Sequence, residues 1–231
     1  MSLSDDLNAE VGKILRESWS VQEGRVVPDT PDIQLGNHAI KLRATVLYAD
    51  LADSTGLVSS QPATVAAAAY KCYLNCACRV IKAGRGEITA FDGDRVMAVF
   101  LGDDQCTRAM RVGLQINHAV VKIINPRIRE IRGAAAFELK QAVGIDTGEL
   151  LVARTGIRGA NDLVWVGPAA NVAAKLCAQR SGGLASWVTK AVYDKADAGV
   201  KTSEGRPIWE PRTWAERGNA SVYASGWTSA P

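Results

Sequence analysis

Two acidic residues in strand-like settings are the residues of this chain best placed to do chemistry. Asp50 lies near the end of the apolar run 46–51, and Asp94 lies in the turn just before the apolar run 96–100. Neither position suits a core residue, and we expect no local cation to neutralise either carboxylate. Two such carboxylates side by side repel each other unless a divalent cation lies between them. The pair therefore predicts a metal site of the kind that handles nucleoside triphosphates.

The elements that must position these carboxylates form an alternating order of strands and helices. In chain order they are an apolar strand at 42–51, an Ala-rich helix at 62–83, strands at 87–91 and 96–101, a helix from Asp103 or Asp104 to about Ile124, and a strand at 137–146. We expect Pro126 to stop the second helix. We also expect Thr147-Gly148-Glu149 to form a hairpin turn. This βαββαβ order predicts an α+β, ferredoxin-like sandwich.

Both ends of the chain are predicted to add to this core. A helix capped by Ser4 or Asp5, followed by a turn-rich stretch, makes residues 1–40 an N-terminal helical arm and linker. Residues 41–231 are then one catalytic domain with a C-terminal extension. The extension is predicted to hold a helix opened by Pro168, a strand at 184–189, a helix at 190–197 and a polar tail.

Composition excludes several classes of protein. The 27 Lys and Arg against 24 Asp and Glu leave a net charge of +3 without a long basic run, so we predict no nucleic-acid partner. No apolar stretch reaches the roughly 18 residues of a membrane span, and the N-terminus lacks a signal core, so we predict a cytoplasmic protein with no membrane partner. The five cysteines include no CxxC pair, which argues against a zinc site.

Four sequence blocks, in order, resemble the class III nucleotidyl cyclases. They are residues 48–55, 93–100, 144–149 and 166–176, and the resemblance covers roughly residues 42–190. It implies a phosphorus–oxygen lyase that converts a nucleoside triphosphate to a cyclic nucleotide and pyrophosphate. It also implies two divalent ions per site, Mn²⁺ or Mg²⁺, which activate the ribose 3′-hydroxyl and neutralise the triphosphate.

The resemblance assigns roles to individual residues. Asp50, Asp94 and the carbonyl of Leu51 are the metal ligands. The turn that contains Ser54 and Thr55 is expected to offer backbone N–H groups to phosphate oxygens.

Two further residues belong to the segment in which the family stabilises the transition state. Asn171 orients the ribose, and Lys175 stands where the family usually has Arg. Lysine keeps the charge but lacks the bidentate fork, so another residue such as Arg154 is a candidate to share this role.

The base-reading positions depart from those of purine cyclases. Ala90 and Val164 stand where purine cyclases carry polar readers, and a purine site without them cannot reject the wrong base by leaving its own groups unpaired. Tyr48 lies two positions before Asp50 and shares its strand face, where it fills space and favours a pyrimidine. Arg95 is a candidate donor to a base or phosphate oxygen.

The arm and the blocks together resemble the pyrimidine cyclases of bacterial Pycsar anti-phage systems. This implies a uridylate cyclase whose product, cyclic UMP, is a second messenger for antiviral defence and activates a separate effector that is not a stable partner. It also implies a head-to-tail homodimer in which one subunit holds the metals and the other supplies Asn171 and Lys175. A cytidylate cyclase, an adenylate cyclase with an atypical pocket and a catalytically inactive nucleotide-sensing module remain alternatives, and turnover separates the last from the others.

Overall fold

The computed structural model describes residues 2–179 and 182–231. Its helices and strands, in chain order, are α1 (Leu3–Arg16), β1 (Ser20–Glu23), β2 (His38–Ala52), α2 (Ser54–Ser60), α3 (Ala63–Ala83), β3 (Glu87–Asp92), β4 (Arg95–Phe100), α4 (Gln105–His118), α5 (Asn125–Arg132), β5 (Lys140–Ile157), β6 (Ala160–Val166), α6 (Pro168–Cys177), β7 (Ser186–Thr189), α7 (Lys190–Lys195), β8 (Thr202–Ser203), β9 (Arg206–Pro207), β10 (Glu210–Trp214) and β11 (Ala220–Ser225).

These elements belong to two compact units. The first comprises the described residues up to Arg43 together with Glu149–Pro168, and the second comprises Ala44–Gly148 together with the described residues from Ala169 onward. The long strands β2 and β5 contribute residues to both units.

The second unit is built on a mixed sheet. Its strand order is β10-β11-β7-β5-β2-β4-β3. Four neighbouring strands, β5-β2-β4-β3, together with α3 after β2 and α4 after β4, form the predicted βαββαβ core. The ferredoxin-like α+β class is therefore confirmed.

Alternation along β2 decides which side chains enter the core of this unit. Leu47, Ala49 and Leu51 are buried in the cluster that also includes side chains of α3 and α4. Tyr48 and Asp50 therefore lie on the opposite face of the strand. Truncating a core side chain such as Leu47 to alanine would cost about 2–5 kcal/mol of folding free energy.

The helical region after β4 is longer than predicted. A π-helical segment, Ala119–Ile124, joins α4 directly to α5. Pro126 lies directly after this π-helical segment and the helix continues past it to Arg132, so the expectation that it stops the helix is wrong. At the other end, Asp104 precedes α4 but its carboxylate accepts from Arg108 Nε at 2.7 Å instead of capping the helix.

The predicted hairpin at Thr147-Gly148-Glu149 is also wrong. β5 continues through these residues to Ile157, and the turn into β6 comes only there, with Gly159 at φ +87°. These residues belong to a strand of the sheet that neighbours β2, and Thr147 Oγ1 donates to the carbonyl of Ala44 at 3.2 Å. The polar tail is likewise more ordered than expected, since β11 pairs antiparallel with β7.

In the first unit, β1 pairs parallel with the start of β2, and β6 pairs antiparallel with the end of β5. The cap of α1 is Ser2 and not Ser4 or Asp5. The division at residue 40 into an arm and a catalytic domain stays a prediction. Among the described residues no helix is both long and apolar enough to cross a membrane.

Candidate active site

The three predicted metal ligands come from two neighbouring strands. β2 and β4 are antiparallel with Ala49 opposite Val96, and one step further this register brings Arg95 beside Asp50 and Asp94 beside Leu51. The turn between β3 and β4 is tight because Gly93 adopts φ +61°. Both predicted carboxylates therefore lie at the same end of this strand pair.

One carboxylate oxygen of Asp94, Oδ2, is buried without a hydrogen-bond partner in the described structure. Leaving a buried charged oxygen without a donor is costly, and a cation beside it would remove that cost. Carboxylate and carbonyl oxygens are the hard ligands that Mg²⁺ and Mn²⁺ prefer. The donor set of Asp50, Asp94 and the Leu51 carbonyl therefore fits a divalent ion.

The protein supplies only part of such a coordination shell. Within residues 2–179 and 182–231 there is no cluster of three or more His, Cys, Asp and Glu side chains that could hold a metal alone. Water and substrate phosphates commonly complete the shell of Mg²⁺ at phosphate-transfer sites. The arrangement is typical of a site that binds the ion together with its substrate.

Arg95 forms an ion pair with Asp50. The Nη2 atom of Arg95 lies 3.6 Å from Oδ2 of Asp50, and the side chains are 35% and 13% exposed. The Nε atom of Arg95 is buried and has no hydrogen-bond partner in the part of the chain that is described. The expectation that Asp50 has no local cation is therefore wrong, because the strand register places the guanidinium beside it.

Tyr48 is half-buried on the same strand face as Asp50. Burial raises the pKa of the Tyr48 hydroxyl, the neighbouring Cys177 and Asp92 act in the same direction, and Arg95 opposes them. The hydroxyl therefore stays protonated at neutral pH, where it is able to donate a hydrogen bond.

The turn after β2 has an unusual backbone. Asp53 adopts the left-handed conformation, with φ +59°, and its carboxylate accepts from the N–H of Gly56 at 3.3 Å. One N–H group of the predicted phosphate-binding turn is therefore already used inside the protein. Ser54 is half-buried and Thr55 is exposed, so both remain near the surface.

A cavity of about 270 Å³ adjoins this turn. Its lining includes Ser54 from the turn and Lys140 from the start of β5. Sequence reasoning missed Lys140, because nothing in the sequence distinguishes a lysine at the beginning of a strand from an ordinary surface lysine. Its place beside the turn makes it a candidate for contact with phosphate.

Asn171 and Lys175 lie one helical turn apart on the exposed side of α6. The other side of α6 packs closely on β5, because a Cβ atom at Gly144 would collide with the carbonyl oxygen of Ala173 and the amide of Cys177. Among the described residues, neither the Asn171 nor the Lys175 side chain makes a hydrogen bond or an ion pair. Both are therefore available to a second molecule.

The two positions without polar base readers are exposed. Ala90 lies on β3 beside a register shift, and within this shift the hydroxyl of Thr89 is buried without a partner among the described residues. Sequence reasoning did not single out Thr89, because nothing in the local pattern indicates the shift.

Val164 belongs to the first unit, on β6, and is 39% exposed. Arg154, in the same unit, donates from Nε to Asn161 Oδ1 at 2.7 Å.

Asp146 is a buried carboxylate that the sequence analysis left without a role. It is 8% exposed and accepts a hydrogen bond from Thr189 Oγ1 at 2.6 Å. Burial raises the pKa of Asp146, and the hydrogen bonds from Thr189 and the Thr147 backbone oppose the rise. An acidic residue inside an apolar strand was the signal that marked this position.

The fold is that of the nucleotidyl cyclases. The crystal structure of the guanylyl cyclase Cya2 matches with a TM-score of 0.68 and 19% sequence identity, over 83% of this chain and 95% of that one. The second unit's core and this match together define a class III nucleotidyl cyclase catalytic fold. No family model matches the chain.

Two curated relatives match along nearly the whole chain. The uridylate cyclase of Xanthomonas perforans is 44% identical over 228 residues, which are 98% of each chain. The uridylate cyclase of Burkholderia cepacia is 45% identical over 229 residues, again 98% of each. The chain belongs to the uridylate cyclase family and is a nucleotidyl cyclase, so the family predicted from the motifs is confirmed.

Proposed function

We propose that this enzyme converts UTP to 3′,5′-cyclic UMP and pyrophosphate. The observation that carries the proposal is the buried carboxylate oxygen of Asp94, which has no hydrogen-bond partner among the described residues. Asp94 lies at the same end of the β2–β4 strand pair as Asp50. Such a pair of carboxylates is suited to a divalent ion and a triphosphate. The uridylate cyclases named above support the choice of the base.

Asp50, Asp94 and the Leu51 carbonyl would hold two divalent ions, Mn²⁺ or Mg²⁺. When bound, these ions supply Lewis-acid activation of the ribose 3′-hydroxyl and neutralise the triphosphate. In the reaction the 3′-oxygen forms a bond to the α-phosphorus, the bond from that phosphorus to the bridging oxygen breaks, and the 3′-hydroxyl proton is released. Ser54 and Thr55 position the phosphates from the turn after β2.

The proposed site is shared between two copies of the chain. Asn171 and Lys175 are exposed and unengaged within the described residues, which supports their acting across a head-to-tail dimer on the substrate held by the other copy. There Asn171 would orient the ribose and Lys175 would stabilise negative charge on the phosphates.

The pyrimidine preference is assigned to Tyr48, Arg95 and the two apolar positions Ala90 and Val164. Tyr48 takes up space and offers a protonated hydroxyl, since burial raises its pKa. Arg95 has donors for a base or phosphate oxygen. Without polar readers at Ala90 and Val164, a purine would gain no hydrogen bonds there.

The product is proposed to act as a cytoplasmic second messenger in anti-phage defence, detected by a separate effector. The resemblance to the Pycsar cyclases supports this role. For this role the catalytic site needs only to form and release cyclic UMP.

Turnover of UTP by the purified protein tests the proposal. With Mn²⁺ or Mg²⁺ we expect cyclic UMP and pyrophosphate in equal amounts. The variants Asp50→Asn and Asp94→Asn should lose at least about 1,000-fold in kcat while their circular dichroism spectra stay unchanged. A protein that leaves UTP intact and cyclises ATP or GTP would contradict the proposal.

A further inference from the structure

The N-terminal helix α1 presents an apolar face to solvent. No residue of the helix is buried, and its large apolar side chains are 47–79% exposed; they are Leu3, Leu7, Val11, Ile14 and Leu15. Isolated helices shorter than about 12–15 residues are marginal in water and gain most of their stability by packing such a face. A helix of 14 residues therefore calls for a surface that covers it.

Both ends of α1 are nevertheless fixed. At the start, Ser2 and Asp5 form a reciprocal capping box. At the end, the side-chain amide of Asn37 donates to the carbonyls of Ile14 and Glu17 at 2.9 and 2.8 Å. The helix is therefore already formed, and a preformed element loses less conformational entropy when it binds.

The first part of α1 is acidic. Asp6 and Glu10 lie one turn apart and therefore on the same side of the helix, and Glu10 borders the apolar face. Together with Asp5 they are the charged residues of the first ten positions, while Lys13 and Arg16 come in the last turns. A complementary surface should combine apolar side chains with cations.

The second unit carries such a surface between α3 and α5. An open groove of about 530 Å³ lies there, and Ile123 and Ile131 at its edge are 46% and 77% exposed. The charged side chains of its lining are Lys71, Arg127 and Arg132, and its described lining residues include no carboxylate. Arg127 also pairs with Glu130 of α5, 2.7 Å away. Exposed apolar patches rimmed by polar residues typically mark interaction sites.

We propose that α1 of one copy docks into the α3–α5 groove of a second copy of this chain. Leu7 and the other apolar side chains enter the groove, and Asp6 and Glu10 face its cationic rim. Helices bind grooves in this manner through apolar residues spaced three and four apart, and opposite charges fix the orientation. Because each copy has both parts, we expect two copies to exchange their helices reciprocally and form a closed dimer. The inference does not depend on the substrate or on the catalytic site.

The groove contains a natural reporter, because the exposed thiol of Cys72 lies in its lining. In the full-length variant Leu7→Cys, mild oxidation with copper phenanthroline should join the introduced thiol to Cys72 or Cys76 of the second copy through a disulfide. The expected product is a dimer on a non-reducing gel that disappears with dithiothreitol. Peptide mass spectrometry identifies the linked residues.

Two matched variants control this experiment. Ala9→Cys, on the opposite side of α1, should give no more dimer than the wild type. Adding Cys72→Ser and Cys76→Ser to Leu7→Cys should remove the product. A disulfide within one chain, or no disulfide between the thiol introduced in α1 and the groove, would overturn the proposal.

Alkylation measures the same contact without an introduced cysteine. Docking of α1 shields Cys72, so the double variant Asp6→Lys, Glu10→Lys should make its reaction with a maleimide at least about threefold faster. The variant Lys13→Glu, Arg16→Glu changes charge in the last turns and should have a smaller effect. An unchanged rate in the first variant would also refute the proposal.

Discussion

The guanidinium of Arg95 lies 3.6 Å from the carboxylate of Asp50, so a predicted metal ligand already contacts a cation that belongs to the chain. A divalent ion interacts with a carboxylate more strongly than a single positive charge does. A divalent ion bound at Asp50 would therefore compete with this pair, and a displaced guanidinium would keep its five donors for a substrate oxygen.

Replacing this arginine should change metal binding and catalysis in opposite directions. In Arg95→Gln we expect the nucleotide-free protein to bind Mn²⁺ about threefold more tightly, because the competing cation is gone. The kcat/KM for UTP should fall about tenfold, because a substrate contact is lost. Electron paramagnetic resonance of free Mn²⁺ measures the first change, and steady-state kinetics measure the second.

Arg85→Gln removes the same charge from an exposed pair with Asp104, 3.0 Å apart, and serves as the control. It should leave both quantities unchanged. Weaker Mn²⁺ binding in Arg95→Gln would show that the arginine does not compete for Asp50.

Tyr48 should control the choice of base. Tyr48→Phe keeps the ring and loses the hydroxyl, so kcat/KM for UTP should fall about tenfold while ATP stays a poor substrate. Tyr48→Ala opens space, and the ratio of ATP to UTP turnover should rise at least about tenfold. Chromatography of the products measures the turnover of each nucleotide in both variants. An alanine variant with full pyrimidine preference would remove Tyr48 from this role.

Mixing two inactive variants should restore activity if the sites are shared. In a heterodimer of Asp50→Asn and Asn171→Ala, one site carries both changes and the other carries neither. Random pairing then gives about a quarter of the wild-type activity. The assay is cyclic UMP production after the variants are mixed and allowed to exchange subunits. If each copy formed its own complete site, the mixture would stay inactive.

Asp146 should make the free energy of unfolding depend on pH. Burial raises its pKa above the ordinary value of 3.8, so the folded state binds the proton more tightly than the unfolded state. Stability from this group is then greatest below pH 3.8 and falls as the pH rises through the folded pKa. The variant Asp146→Asn does not lose stability in this way, because its amide does not ionise. Its side-chain oxygen can still accept the hydrogen bond from Thr189.

The difference in unfolding free energy, variant minus wild type, should therefore grow in favour of Asp146→Asn from about pH 4 to neutral pH. Urea unfolding across this range measures it. Asp103→Asn, at an exposed carboxylate, should show a much smaller trend. A variant that is equally destabilised at all pH values would mean that the carboxylate is needed for packing alone.

The sequence contained enough to place the strands that carry the site. Local signals decided these elements: the apolar run that ends near Asp50, Gly93 in a turn, and Pro62 at the start of α3 all act within a few residues. The βαββαβ order and the face of Tyr48 followed from them.

The features that were missed depend on contacts between distant residues. Thr147 lies inside β5, which pairs with the distant strand β2 in the sheet, and this pairing overrides a local turn preference. Pro126 is accommodated because a π-helical segment precedes it. The pairing of Arg95 with Asp50 follows from strand register, and register is not visible in either segment alone.

Competition among the four nucleotides tests the central claim most directly. The purified protein is incubated with equimolar ATP, GTP, CTP and UTP and with Mn²⁺, and the cyclic products are quantified by mass spectrometry. We predict that cyclic UMP is the main product and that Asp94→Asn forms none. Cyclic AMP or cyclic GMP as the main product would contradict the account.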